Sequence, residues 1–144
     1  MPKESEHLAV GTKHRLQLRV DDGLTVPALS KAFMGFADMP PVFATAFMVG
    51  FIEWACIESL RTALLSDFAT VGTHIDVSHV APTPVGMIVT AEVELTSIKG
   101  RRLCFNVQCS DEAGLIGQGT HERAIVDSAK FLKRVLAKRE LGNV

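Results

Sequence analysis

Hydrophobic and polar positions alternate along several stretches of this chain and fall at helical spacing in others, and the two periods sort it into strands and helices. Leu16, Leu18 and Val20 share one side of the stretch from Gly11 to Val20, opposite Arg15, Gln17 and Arg19, which predicts a half-buried strand. Asp21-Asp22-Gly23 closes it with a turn. From Leu24 to Phe43 no period holds, and Pro27, Gly35, Pro40 and Pro41 interrupt the chain, so this reads as an ordered loop with one short helical turn, long enough to serve as a lid. From about Phe47 to Leu65 proline is absent and strong helix formers dominate, which predicts the principal helix. Its first half is apolar around nearly the whole circumference, so other structure must surround it.

Further strands follow. Ile75, Val77 and His79 share one face of the first, Val89, Ala91, Val93 and Leu95 one face of the next, and Leu103, Phe105, Val107 and Cys109 one face of the third. Lys99-Gly100 and Glu112-Ala113-Gly114 are tight connections that make neighbours antiparallel, and Leu115 to Val126 supplies the last strand. From about Ser128 to Arg139 an amphipathic helix carries Phe131, Leu132, Val135 and Leu136, with Asp127 or Ser128 as its N-cap. The order of strand, long loop, buried helix, antiparallel strands and terminal helix defines an α+β fold, one sheet curled about a central helix.

Composition narrows the function classes. With 144 residues, 47% of them hydrophobic, and a net charge of -1, the chain has the makeup of one globular domain over residues 1–144. It lacks the basic footprint of a nucleic-acid binder, although Arg101 and Arg102 can meet a phosphorylated cofactor. Cys56, Cys104 and Cys109 show neither disulfide nor zinc spacing and fit a reduced, cytoplasmic protein. The longest apolar run, Ala44 to Ile57, is too short for a bilayer and is broken by Glu53, and Met1 to Glu6 carries no hydrophobic leader, so neither membrane insertion nor export is expected.

Glu53 is the single charge between Phe47 and Ile57. Burial raises a carboxyl pKa and a cationic neighbour lowers it, so a glutamate here can be tuned as a base or nucleophile; equally, it can sit at a helix edge and reach water. His79, in phase with Ile75 and Val77, faces the helix and can pair with Glu53, or be an ordinary hydrogen-bonded core histidine. Thr45, at the helix entrance, reads first as an N-cap, though its hydroxyl can also bind a reacting carbonyl. On one straight helix Thr45 and Glu53 stand about 12 Å apart along the axis, beyond any hydrogen bond. A shared site therefore needs the helix to begin after Thr45, or a partner subunit. Gly72, placed just before the strand of Ile75, can expose its N–H to an oxyanion or merely make a turn. Thr120-His121-Glu122-Arg123 is a dense polar patch suited to an edge or interface. No phosphate loop, dinucleotide fingerprint, nucleophile elbow or metal-ligand motif is present.

The segment from Val42 through Phe43-Ala44-Thr45 and Gly50-Phe51-Ile52-Glu53-Trp54 to Cys56 resembles the fluoroacetyl-CoA thioesterase family. So do Gly72-Thr73 through His79 to Pro84, and Gly100-Arg101-Arg102-Leu103 running on to Gly117-Gln118-Gly119-Thr120-His121-Glu122-Arg123-Ala124. The likeness covers most of the chain from about Pro41 onward. It implies a hotdog fold, a homodimer with active sites at the subunit interface, and hydrolysis of an acyl-CoA substrate without metal or other cofactor. It also implies a catalytic set of Thr45, Glu53 and His79, with Gly72 as a backbone donor beside the thioester; Met39 and Phe43 are candidate substrate contacts, and Arg101, Arg102 and Arg123 are candidates for contacts to the phosphates. Met39 stands before the lid proline where fluoroacetyl-specific relatives carry an aromatic gate, and a flexible methionine forms no rigid wall. That departure widens the implied substrates to short acyl-CoAs in general. The readings set against it are a hotdog hydratase or dehydratase using the same histidine and carboxylate, and a non-catalytic acyl-CoA-binding dimer in which Glu53 and His79 are a satisfied buried pair.

Overall fold

The computed structural model describes residues 8–142, so the polar segment from Met1 to Glu6 lies outside it. The elements are β1 (Lys13–Arg19), α1 (Thr45–Leu60), β2 (Phe68–Val77), β3 (Ile88–Lys99), β4 (Arg102–Asp111), β5 (Gly114–Asp127) and α2 (Ser128–Leu141). All strands join one antiparallel five-stranded sheet in the order β1-β3-β4-β5-β2. The α+β architecture read from the sequence is therefore the observed one.

Alternation set the sheet. Val89, Ala91, Val93 and Leu95 of β3 and Leu103, Phe105, Val107 and Cys109 of β4 all face inward and are buried. Opposite them α1 contributes Met48, Phe51, Ile52, Ala55, Cys56 and Leu60 to the same core, and it touches β1, β2, β3 and β4. Ile52 and Phe105 are fully buried, and removing each from water is worth about 1.5–3 kcal/mol. Gly100, at a φ of 61°, makes the β3–β4 turn, and the Asp111 carboxylate accepts the Ala113 and Gly114 N–H groups in the β4–β5 turn.

Several expectations change. The helix starts at Thr45 and ends at Leu60, because the extended Ala44 already caps it and the chain past Leu60 tightens into turns, with Arg61 N–H bonding to Glu58 O. It is also not enclosed all round: Ala46, Gly50, Trp54 and Ile57 form an exposed face. Finally, β2 begins at Phe68, so Gly72 lies inside a strand rather than before it. A bulge between Gly72 and His74 adds a residue and shifts the phase by one, which puts Gly72, Ile75 and Val77 on the same side, opposite Arg123, His121 and Gly119. The long loop holds two short 3-10 turns, Val26–Ala28 and Met34–Phe36, and every residue from Lys31 to Pro40 is exposed. The Asp127 side chain caps α2 at the Lys130 N–H, but Leu132, Val135 and Leu136 stay exposed instead of joining the core. Among the described residues no helix is long and apolar enough to cross a membrane.

Candidate active site

Two groups of side chains hold the candidate chemistry, one at the start of α1 and one at its middle. At the N-terminal end Thr45 is the first helical residue and makes no cap hydrogen bond; its Oγ1 lies 2.7 Å from Nδ1 of His79. His79 lies two residues past the end of β2 rather than within the strand, where Ser78 N–H to Gln118 O and Val80 N–H to Ile116 O carry the chain on along β5. The bond to Thr45 replaces both the expected N-cap and the expected His79–Glu53 pairing. Burial holds the His79 ring below the ordinary histidine pKa, so it is neutral at neutral pH. Its Nε2 is buried and has no hydrogen-bond partner among the described residues.

Two helical turns further on, Glu53 leans over β2 and β5. A Cβ built on Gly72 would stand 2.5 Å from Glu53 Oε1, so the carboxylate rests directly on the glycine backbone. The same oxygen is 3.6 Å from Arg123 Nη1 and 3.7 Å from His121 Nε2. Arg123 and His121 are almost wholly buried, whereas the Glu53 side chain keeps 39% of its exposure. Glu53 is thus neither sealed in the core nor free in water: one side meets a buried cation and the other opens onto the exposed face of α1.

The Thr120–Arg123 patch is not at an edge, because β5 lies between β4 and β2. His121 and Arg123 point inward in phase with the buried Ile125. Sequence reasoning gave His121 no part in the site; that phase relation to Ile125 was the available signal. Arg123 Nε donates to Thr70 Oγ1 at 2.8 Å and Nη2 to Thr70 O at 2.9 Å, so its guanidinium is held inside the protein, out of reach of an external nucleotide phosphate. Arg101, with Lys130, Lys133 and Arg134, instead lines a cavity of about 320 Å³ beside the start of α2, and Arg102 is 3.7 Å from Glu122. Phe43 is fully buried in the main core rather than lining an open substrate wall, and Met39 is exposed on the lid loop. Cys56, one turn past Glu53, is no thiolate nucleophile, since burial pushes its thiol up to about 12. A cavity of about 730 Å³ lies on the other face of the sheet among Arg15, Glu92, Gln108 and Gln118, away from every candidate catalytic group.

A sheet folded onto one central helix is shared with solved hotdog proteins. A hot-dog-like protein from Thermanaerovibrio acidaminovorans superposes with a TM-score of 0.75 at 28% identity, over 90% of this chain and 91% of that one. Residues 27–129 match the family model of the fluoroacetyl-CoA-specific thioesterases, and the chain belongs to that family. The fluoroacetyl-CoA thioesterase of Streptantibioticus cattleyicolor is 41% identical over 94% of this chain and 97% of its own length. A variant of a fluoroacetyl-CoA-specific thioesterase solved with fluoroacetate and CoA has a TM-score of 0.84 and 42% identity, over 86% of this chain and 99% of that one.

Proposed function

We propose that two copies of this chain pair so that Thr45 and His79 of one face Glu53 and Gly72 of the other, and that this composite site hydrolyses short acyl-CoA thioesters. Thioester hydrolysis as the class of reaction follows from family membership, which disfavours both the hydratase and the non-catalytic binder. The observation that carries the composite site is the separation of the two groups. Thr45 and Glu53 lie on one continuous helix, about 12 Å apart along its axis, too far to act on one carbonyl within a single chain. The exposed face of Ala46, Gly50, Trp54 and Ile57 includes Glu53 and adjoins Thr45, and a twofold axis through such a face brings the start of one helix to the middle of the other. The unpartnered His79 Nε2 supports the same pairing, since a buried ring nitrogen gains from a carboxylate or water opposite it.

In this site backbone N–H groups at Gly72, assisted by the Thr45 hydroxyl, polarise the thioester carbonyl. Glu53 attacks the carbonyl carbon or takes a proton from an attacking water, with Arg123 Nη1 3.6 Å from the same carboxylate. The C–S bond breaks as the tetrahedral intermediate collapses, and neutral His79 relays to the departing CoA thiolate a proton that comes from water, on the water route the one that Glu53 has taken up. The products are a free acid and CoA, and these steps call on no group beyond the chain's own residues, the substrate and water. The cavity of Arg101, Lys130, Lys133 and Arg134 offers charge complementary to the nucleotide phosphates of CoA. Three free cysteines suit a cytoplasmic setting.

Free-thiol release across acetyl-, fluoroacetyl-, medium-chain and aromatic acyl-CoAs tests the reading. Acetyl- and fluoroacetyl-CoA are both expected to be cleaved, with weak discrimination between them because exposed Met39 supplies no rigid wall at the gate position. Absence of thiol release from the whole panel would overturn the proposal.

A further inference from the structure

His121 lies beneath Glu53, paired across the sheet with Ile75 and only 1% exposed. Its Nδ1 is 2.7 Å from the His74 carbonyl oxygen. A carbonyl only accepts, so the ring proton sits on Nδ1 and Nε2 presents a lone pair. Arg123 Nη1 donates to that lone pair at 3.1 Å. Together with the two bonds to Thr70, this fixes the guanidinium on three sides. Glu53 Oε1 is then left 3.6 Å from Nη1, within ion-pair distance and too far for a hydrogen bond. A guanidinium released from these bonds would close on the carboxylate as a two-pronged fork, the preferred geometry of such pairs. That would tie up the oxygen lone pairs needed for attack or for proton removal.

We propose that His121 is a positioning residue for Glu53: as a hydrogen-bond acceptor it holds Arg123 back from the carboxylate, so that the Glu53 oxygens stay open to the substrate. This rests on Glu53 being the reacting carboxylate. The neutral state of the ring agrees with its surroundings. Burial chiefly holds His121 below the usual histidine value and the Arg123 charge adds to this, against the opposing pull of the His74 carbonyl, Glu53 and Glu122.

The test compares His121→Phe, which keeps the ring volume and removes the acceptor, with His121→Gln, which restores an acceptor, using acetyl-CoA as the probe. The phenylalanine variant is expected to lose about 10- to 100-fold in kcat with KM almost unchanged, the size of effect that a misplaced catalytic group produces, while glutamine recovers most of the loss. Wild-type kcat in His121→Phe overturns the proposal, and so does a glutamine variant as slow as the phenylalanine one. Should His121→Phe melt below the assay temperature, Thr70→Val loosens the same guanidinium from its other side. It is expected to lower kcat in the same way, and an unchanged kcat there also overturns the proposal. Glu53→Gln run alongside separates the two claims. Full turnover in that variant removes the reading of Glu53 itself, whereas its inactivity beside a normal His121→Phe removes only the positioning role.

Discussion

Glu53→Gln is expected to lower acyl-CoA turnover by about 10³-fold or more, because glutamine neither takes a proton from water nor attacks a thioester at a useful rate. The substitution keeps size and shape, and among the described residues no hydrogen bond anchors the Glu53 carboxylate, which meets Arg123 and His121 at 3.6 and 3.7 Å. Packing of Phe51, Ile52 and Ala55 on the other side of α1 is untouched. Loss of a partly exposed carboxylate beside Arg123 costs at most about 1 kcal/mol of stability, so melting temperature should move by a few degrees while kcat collapses. Thiol-release kinetics and a thermal melt on the same sample check both halves. A variant with full turnover would remove Glu53 from the chemistry.

Gly72→Ala should separate activity from stability still more cleanly. The new Cβ would lie 2.5 Å from Glu53 Oε1, 3.3 Å from His121 Cε1 and 3.4 Å from Arg123 Nη1. The closest of these is the far end of a flexible side chain, so the fold yields by swinging the carboxylate away rather than by shifting backbone. Glycine inside a strand is itself less stable than alanine by roughly 0.5–1 kcal/mol, which offsets much of the remaining crowding. The expected outcome is a melting temperature within a few degrees of wild type and a kcat reduced by about 100-fold, since a displacement near 1 Å at a reacting group has that effect. Unchanged kcat would mean that the carboxylate does not work from its place above Gly72.

Much of the fold was legible because β3 and β4 bury one face and solvate the other, so Val89 to Leu95 and Leu103 to Cys109 declare their phase without help. β2 was harder. Its bulge at Thr73 breaks the alternation between Gly72 and Ile75, so periodicity recovered only the second half of the strand and left Gly72 in a turn. His121 and Arg123 were read against their polar neighbours Thr120 and Glu122, whereas their inward direction is set by the register of β5 with β2 and β4, a long-range property. The Thr45–His79 bond spans 34 residues and depends on where the chain beyond β2 returns to the helix start, which no local pattern encodes. Because α1 includes Thr45, the option of a helix beginning after it is closed, and of the two routes to a shared site the proposed one, a second copy of the chain, is left.

Complementation between two inactive variants tests that route most directly. Chains carrying Glu53→Gln and His79→Ala, co-expressed with different affinity tags, yield a mixed dimer in which one site draws an intact His79 from the first chain and an intact Glu53 from the second, while the other site lacks both. Each variant alone should be close to inactive, and the purified mixed dimer should recover about half the wild-type thiol release per dimer, one working site of two. A mixed dimer as inactive as its parents would contradict the account, as would wild-type turnover in either parent.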